Sequence, residues 1–167
     1  MNMGIYKRDI FHFFCLFNPL IKYKKQLWEE AASNYIKKIV ENHKILLNFN
    51  NEISYKFVSK EEMNSLLSGN SIIFKDSKEE LKVPMASSNT PFTLYVCLDY
   101  IRELTRGISV SKRDMFLEGC IMHEIEHFKI NDSFTDKLAE ELFIVEKSRK
   151  EYPEQRKTME ELLPKHL

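Results

Sequence analysis

The sequence predicts a small α+β domain, mostly helical, with a short three-stranded sheet packed on one long helix. Three observations predict it. Apolar residues recur at helical spacing over residues 22–47, and a second helix is signalled from Ser111 past His127. Between them lie short runs that alternate in polarity or are rich in β-branched and aromatic residues, at 53–57, 71–75 and 92–99. Finally, 167 residues with 43% apolar content suit one domain with a sizeable core, spanning 1–167.

At the start of the chain, Lys7 and Arg8 precede the apolar run Ile10-Phe11-His12-Phe13-Phe14-Cys15-Leu16-Phe17, and no small-residue cleavage site follows it. Asn18-Pro19 and then Lys22, Lys24 and Lys25 interrupt it, well short of the ~20 apolar residues needed to span a bilayer. Residues 1–21 are therefore expected to be a buried apolar segment, with a membrane-interface contact or an oligomer contact as the alternatives. The doublets Leu27/Trp28, Ala31/Ala32, Tyr35/Ile36, Ile39/Val40 and Ile45/Leu46 then make residues 22–47 a long amphipathic helix, punctuated afterwards by Asn48, Asn50 and Asn51.

Ile53, Tyr55 and Phe57 alternate with Glu52, Ser54 and Lys56, the period of a half-buried strand. Ser59 and Glu62 form a capping box for a short helix that Gly69 can close. Residues 71–75 read as a second strand, and the polar stretch 76–91, with Pro84 and Ser87-Ser88-Asn89, reads as a loop. Residues 92–99 are the strongest strand signal, and Ser111-x-x-Asp114 is a capping signature for the helix beyond it. Asn131-Asp132-Ser133 predicts a tight turn, and Ser133-x-x-Asp136 a cap for a further helix over about 134–150. Residues 151–167 form a charged tail with a short helix around 154–163.

Lys plus Arg and Asp plus Glu both total 25, so no net basic field points to nucleic acid. Cys15, Cys97 and Cys120 are odd in number with no C-x-x-C spacing, which argues against a disulfide scaffold or a thiolate zinc site and for a reducing, cytoplasmic setting.

The chemistry-bearing stretch is His123-Glu124-Ile125-Glu126-His127. Two imidazoles four apart share one helix face and can reach a single zinc ion at ~2.0–2.1 Å, leaving Glu124 to take a proton from water at the metal. With 5 His and 19 Glu in the chain, random placement produces His-Glu-x-x-His with a chance of roughly 2%. Over about residues 111–146 the chain resembles the zincin metallopeptidases, and among them the gluzincins, whose third ligand is an acidic residue on the following helix. Glu126 and Lys129 depart from the stricter family pattern, which has uncharged residues between the histidines and a hydrophobic residue two places after the second.

A tight antiparallel helix pair centred on residues 131–132 sets position 136 opposite 127 and position 140 opposite 123. Asp136 is then expected to be the third ligand and Glu140 the carboxylate bonded to the His123 imidazole; with a longer turn Glu140 becomes the ligand, and Asp132 and Glu146 are outside candidates. Gly119, one turn before His123, either leaves space beside the metal or lets a neighbouring element pack closely. The resemblance also implies an edge strand that holds an extended peptide, at 92–99 or 71–75.

The expected function is hydrolysis of peptide or protein substrates by a zinc-activated water, with Glu124 as general base. The alternatives are a non-catalytic metal-binding or helical interaction module, and a di-iron carboxylate protein built on Glu124-x-x-His127. The last needs a second Glu-x-x-His copy, which this sequence lacks.

Overall fold

The computed structural model describes residues 19–68, 82–130 and 133–163. The readings placed on 10–17, Gly69, the strand at 71–75 and Asp132 lie outside those residues. The chain divides into two compact units, Met1–Tyr35 and Ile36–Leu167. Its elements are α1 (Pro19–Leu46), β1 (Ser54–Phe57), α2 (Lys60–Ser68), β2 (Met85–Asn89), β3 (Phe92–Val96), α3 (Leu98–Leu104), α4 (Val110–Ile130), α5 (Lys137–Glu151) and α6 (Pro153–Leu162). This is the mostly helical α+β arrangement with a small three-stranded sheet that the periodicities predict.

Local chemistry accounts for several boundaries. α1 closes where Asn48 takes φ 54°, a left-handed conformation that Asn tolerates. The amides of Phe49 and Asn48 then bond back to the carbonyls of Lys44 and Ile45 at 2.8 and 3.2 Å, satisfying acceptors at the helix end. α2 opens with the expected capping box: the Ser59 amide donates to Glu62 Oε2 at 2.7 Å and the Glu62 amide to Ser59 Oγ at 3.2 Å. The cap of α4 lies two residues before the expected one, because Ser109 accepts the Lys112 amide and leaves Ser111 inside the first turn.

The sheet order is β1-β3-β2, with β1 parallel and β2 antiparallel to β3. β2 falls within the stretch read as loop. Met85-Ala86-Ser87-Ser88-Asn89 has no β-branched residue, so it carries little strand signal of its own; the ladder to β3, Met85 opposite Val96 through Asn89 opposite Phe92, makes it a strand. β3 is the central strand and ends at Val96, since Cys97 already leads into α3. The expectation that residues 92–99 form an outer, substrate-facing edge is corrected: β2 lies outside β3 and contacts α4.

α4 is the spine of the second unit. Phe116, Ile121, Ile125 and Phe128 on it are all at most 1% exposed. Phe128 joins Phe49 and Phe92 in an aromatic cluster with centroids 5.3–5.7 Å apart, which ties the histidine end of α4 to β3 and to the chain after α1. The short helix expected around 154–163 within the charged C-terminal stretch is α6, and it is packed. α6 begins with Pro153 at its first turn and buries Arg156, Thr158 and Met159.

Gly119 serves that packing. A Cβ there would stand 2.7 Å from Met159 Sδ, 2.8 Å from its Cγ and 3.0 Å from the Gln155 carbonyl oxygen, so the missing side chain lets α6 approach α4. Overpacking costs ~1–3 kcal/mol, which exceeds the ~0.5–1 kcal/mol gained in a helix interior on replacing Gly by Ala. Gly119→Ala is expected to lower stability by about 1 kcal/mol. Urea unfolding checks this, and a raised midpoint would show that Met159 yields freely.

Candidate metal centre

α4 presents His123 and His127 one turn apart, with ring planes at 78° and the two Nε2 atoms 3.3 Å from each other. Residues 131–136 connect α4 to α5, and Asp136 caps α5 by accepting the Leu138 amide at 2.9 Å. On the next turn of α5 Glu141 meets both rings. Its Oε1 lies 3.1 Å from His127 Nε2 and its Oε2 3.3 Å from His123 Nε2. His123, His127 and Glu141 are the group among the described residues whose donor atoms could hold a metal ion.

The donor set and its spacing fit zinc. Tetrahedral ligands at ~2.0–2.1 Å from an ion stand about 3.3–3.4 Å from one another; the two imidazole Nε2 atoms are 3.3 Å apart, with one Glu141 oxygen 3.1 Å from His127 Nε2 and the other 3.3 Å from His123 Nε2. Two imidazoles and one carboxylate also form a ligand set used by catalytic zinc sites that keep a fourth position open. His123 Nδ1 is buried without a hydrogen-bond partner, so polar anchoring of this ring comes through Nε2, at the point where the donors converge.

Glu140 supports the set from behind. It is 2% exposed, and its Oε1 is 2.7 Å from His127 Nδ1. A carboxylate accepts, so Nδ1 carries a hydrogen toward Glu140; when the ring is protonated Nε2 donates to Glu141, and when it is neutral Nε2 offers its lone pair. Lys137 Nζ donates to the other oxygen of Glu140 at 3.1 Å. Burial opposes a charge on His127, but the bond to Glu141, the charges of Glu124 and Glu141 and the bond to Glu140 outweigh it and push the pKa up to about 9. Burial likewise works against charge on Glu141, yet its bonds to the two histidines and their charges hold it well below the usual carboxylate range.

The structure rearranges the expected acids. His123 and His127 converge as the motif implies, with Glu124 buried beside them at 8% exposure. Asp136 is a helix cap outside the donor group, Glu140 bonds His127 rather than His123, and Glu146 is exposed. The physical reason is the connection. Ser133 does not cap α5; its amide donates to the Ile130 carbonyl at 3.1 Å, closing α4, so α5 starts later. Position 127 therefore meets 140 and 141 instead of 136. The signal that could have found Glu141 is Asp136 itself, a cap residue whose choice as N-cap moves the facing positions along α5.

The two departures from the family pattern are partners. Glu126, fully buried, accepts from Lys129 Nζ at 3.2 Å within α4 and from Lys147 Nζ of α5 at 2.6 Å, so its carboxylate links the two helices. Next to the site lies a cleft of about 400 Å³, whose lining includes Leu66, Leu67, Ala86, Tyr95, His127 and Lys137. No family description, curated protein or solved structure matches this chain.

If these residues bind zinc, Glu141→Ala should lose it, as should His123→Ala and His127→Ala. Glu140→Ala should weaken zinc ~10–100-fold, the loss typical of removing a group that orients a ligand. Asp136→Ala should keep the metal and lose about 0.5–2 kcal/mol of stability through its cap. Zinc titration with a competing chelator ranks the five, and an order in which Asp136 outweighs Glu141 would overturn the assignment. A pH dependence follows as well. In metal-free protein His127 is raised from 6.5 to about 9, so its stabilising contribution is complete below pH 6.5 and is lost as pH rises through 9. Melting of chelated protein across that window should show the fall, and Glu141→Gln should flatten it.

Proposed function

We propose that this protein is a zinc-dependent metallopeptidase with Glu124 as its general base. The observation that supports this reading best is the triangle of His123 Nε2, His127 Nε2 and the Glu141 carboxylate, at 3.1–3.3 Å, with an acid adjacent to the first histidine. The resemblance to gluzincins supports it too, because the third donor stands on the helix after the motif.

His123, His127 and Glu141 would hold the ion, and Glu140 would keep His127 in the tautomer that offers Nε2. Zinc, when bound there, supplies Lewis acidity toward a peptide carbonyl and a water acidified to a pKa of ~7. Glu124 takes the proton of the attacking water and returns it to the leaving amine, a task suited to a carboxylate largely withdrawn from bulk solvent. The cleft beside His127 would receive the substrate as an extended peptide. β2 would pair with it, a reading supported by its ladder running, among the described residues, to β3 alone. Cys97 and Cys120, both buried free thiols, suit a reducing compartment such as the cytoplasm.

Glu124→Gln distinguishes base from ligand. It should retain about one zinc per chain while hydrolysis of a mixed peptide library falls by orders of magnitude. Loss of zinc in this variant would make Glu124 a ligand, and wild-type protein that carries zinc but cleaves no peptide would make the centre non-catalytic.

A further inference from the structure

Hydrogen bonds on β3 fix which backbone groups of β2 face outward. The Cys97 amide donates to the Pro84 carbonyl at 2.9 Å, while the Val96 carbonyl accepts the Val58 amide at 3.0 Å on the side of β1. Bonded and non-bonded pairs alternate along an antiparallel ladder, so Ala86 and Ser88 exchange bonds with Tyr95 and Thr93. The N–H and C=O groups of Met85, Ser87 and Asn89 then point to the outer edge, where among the described residues no further strand pairs. The two faces of β2 also differ. Met85, Ser87 and Asn89 share a face with Phe92, Leu94 and Val96, and Phe92 packs on Phe128 of α4. Ala86 and Ser88 share the opposite face with Tyr95 and Thr93, and Ala86, Tyr95 and Leu67 of α2 pack on one cluster of Met63, Cys97 and Tyr100. On that second face β2 carries only short side chains, whereas Leu66, Leu67 and Tyr95 line the same cleft with large ones. Leu66 is 40% exposed although it lines a concave surface.

We propose that Leu66, Leu67, Ala86 and Tyr95 form a subsite for one large apolar side chain of an extended peptide lying along β2. The inference rests on the peptidase reading, since the peptide is the substrate held beside His127. A strand added to β2 bonds through the outward groups of Ser87 and its alternates, and its side chains alternate between the faces of the sheet. The residue opposite Ser87 turns its side chain to the face that α4 covers. Its neighbours, opposite Ala86 and Ser88, turn theirs to the face of Tyr95 and α2. There a long apolar side chain passes the Ala86 methyl and reaches Leu66, Leu67 and Tyr95, which an alanine cannot do. A charged side chain gains no partner, because the charged groups in the lining engage one another: Glu140 accepts from Lys137 Nζ at 3.1 Å and lies 2.7 Å from His127 Nδ1. The selected residue is therefore apolar and sits next in sequence to one that faces α4, which carries His127.

The test separates binding from hydrolysis. Full-length Glu124→Gln protein is panned against a library of random peptides, and wild-type protein is incubated with the same library and its cleavage sites are mapped. Bound peptides should carry Leu, Ile, Met, Phe or Tyr at one fixed position, favoured over Ala at least about tenfold. Leu66→Glu should replace that preference with Lys or Arg, and Leu66→Ala should weaken it, with melting temperatures showing that both variants fold. In a selected peptide, methylation of successive backbone nitrogens should abolish binding at alternate positions, the period of strand pairing. No fixed apolar position, or one that both Leu66 variants leave unchanged, overturns the proposal. Apolar selection by protein that cleaves none of the selected peptides upholds the subsite and fails the peptidase reading. Cleavage by wild type with no apolar position does the reverse.

Discussion

Everything at the candidate centre depends on the register of α5 against α4, and two buried carboxylates hold that register. Glu126 on α4 is fully buried and bonds Lys147 of α5; Glu140 on α5 is 2% exposed and bonds His127 of α4. Removing the partner of a buried charge typically costs ~3–5 kcal/mol, because the remaining ion stays unsolvated. A slide of α5 by one residue would break both pairs at once, and any such slide would also take Glu141 from between the imidazoles. The polar contacts thus act as much on position as on stability.

The same packing explains how two adjacent glutamates come to do different things. Successive residues on a helix point about 100° apart. With Glu140 turned into α4, Glu141 faces the side on which the His123 and His127 Nε2 atoms converge. Glu140 meets a ring N–H and an ammonium, so it orients; Glu141 meets two ring nitrogens that can offer lone pairs, so it completes a donor set.

On its other sides α4 is held by apolar contacts suited to close approach. Gly119 admits Met159 and the backbone of α6, and Phe128 joins Phe49 and Phe92 at the sheet. These contacts pack α4 against α6 and the sheet, and His127 lines the cleft together with Ala86 of β2. Lys129, next on α4, points its charge to Glu126, so the residues unlike the zincin pattern serve the scaffold rather than the cleft.

What the sequence alone determined is what local spacing decides. The i, i+4 histidines with an intervening acid, the Ser59/Glu62 box, the helical stripes of α1 and the alternation at β1 are each set within a few residues and were legible as such. Tertiary structure decided which acid faces the histidines, because that depends on where Ser133 and Asp136 divide the connection: with the cap at Asp136, Glu140 and Glu141 stand where Asp136 was expected. It also made a strand of Met85–Asn89, whose side chains carry no strand preference until β3 supplies the ladder. Gly119 had two readings in sequence, and the presence of α6 chose between them. Periodicity is a property of neighbours along the chain, whereas register and close approach belong to pairs of elements that meet only after folding.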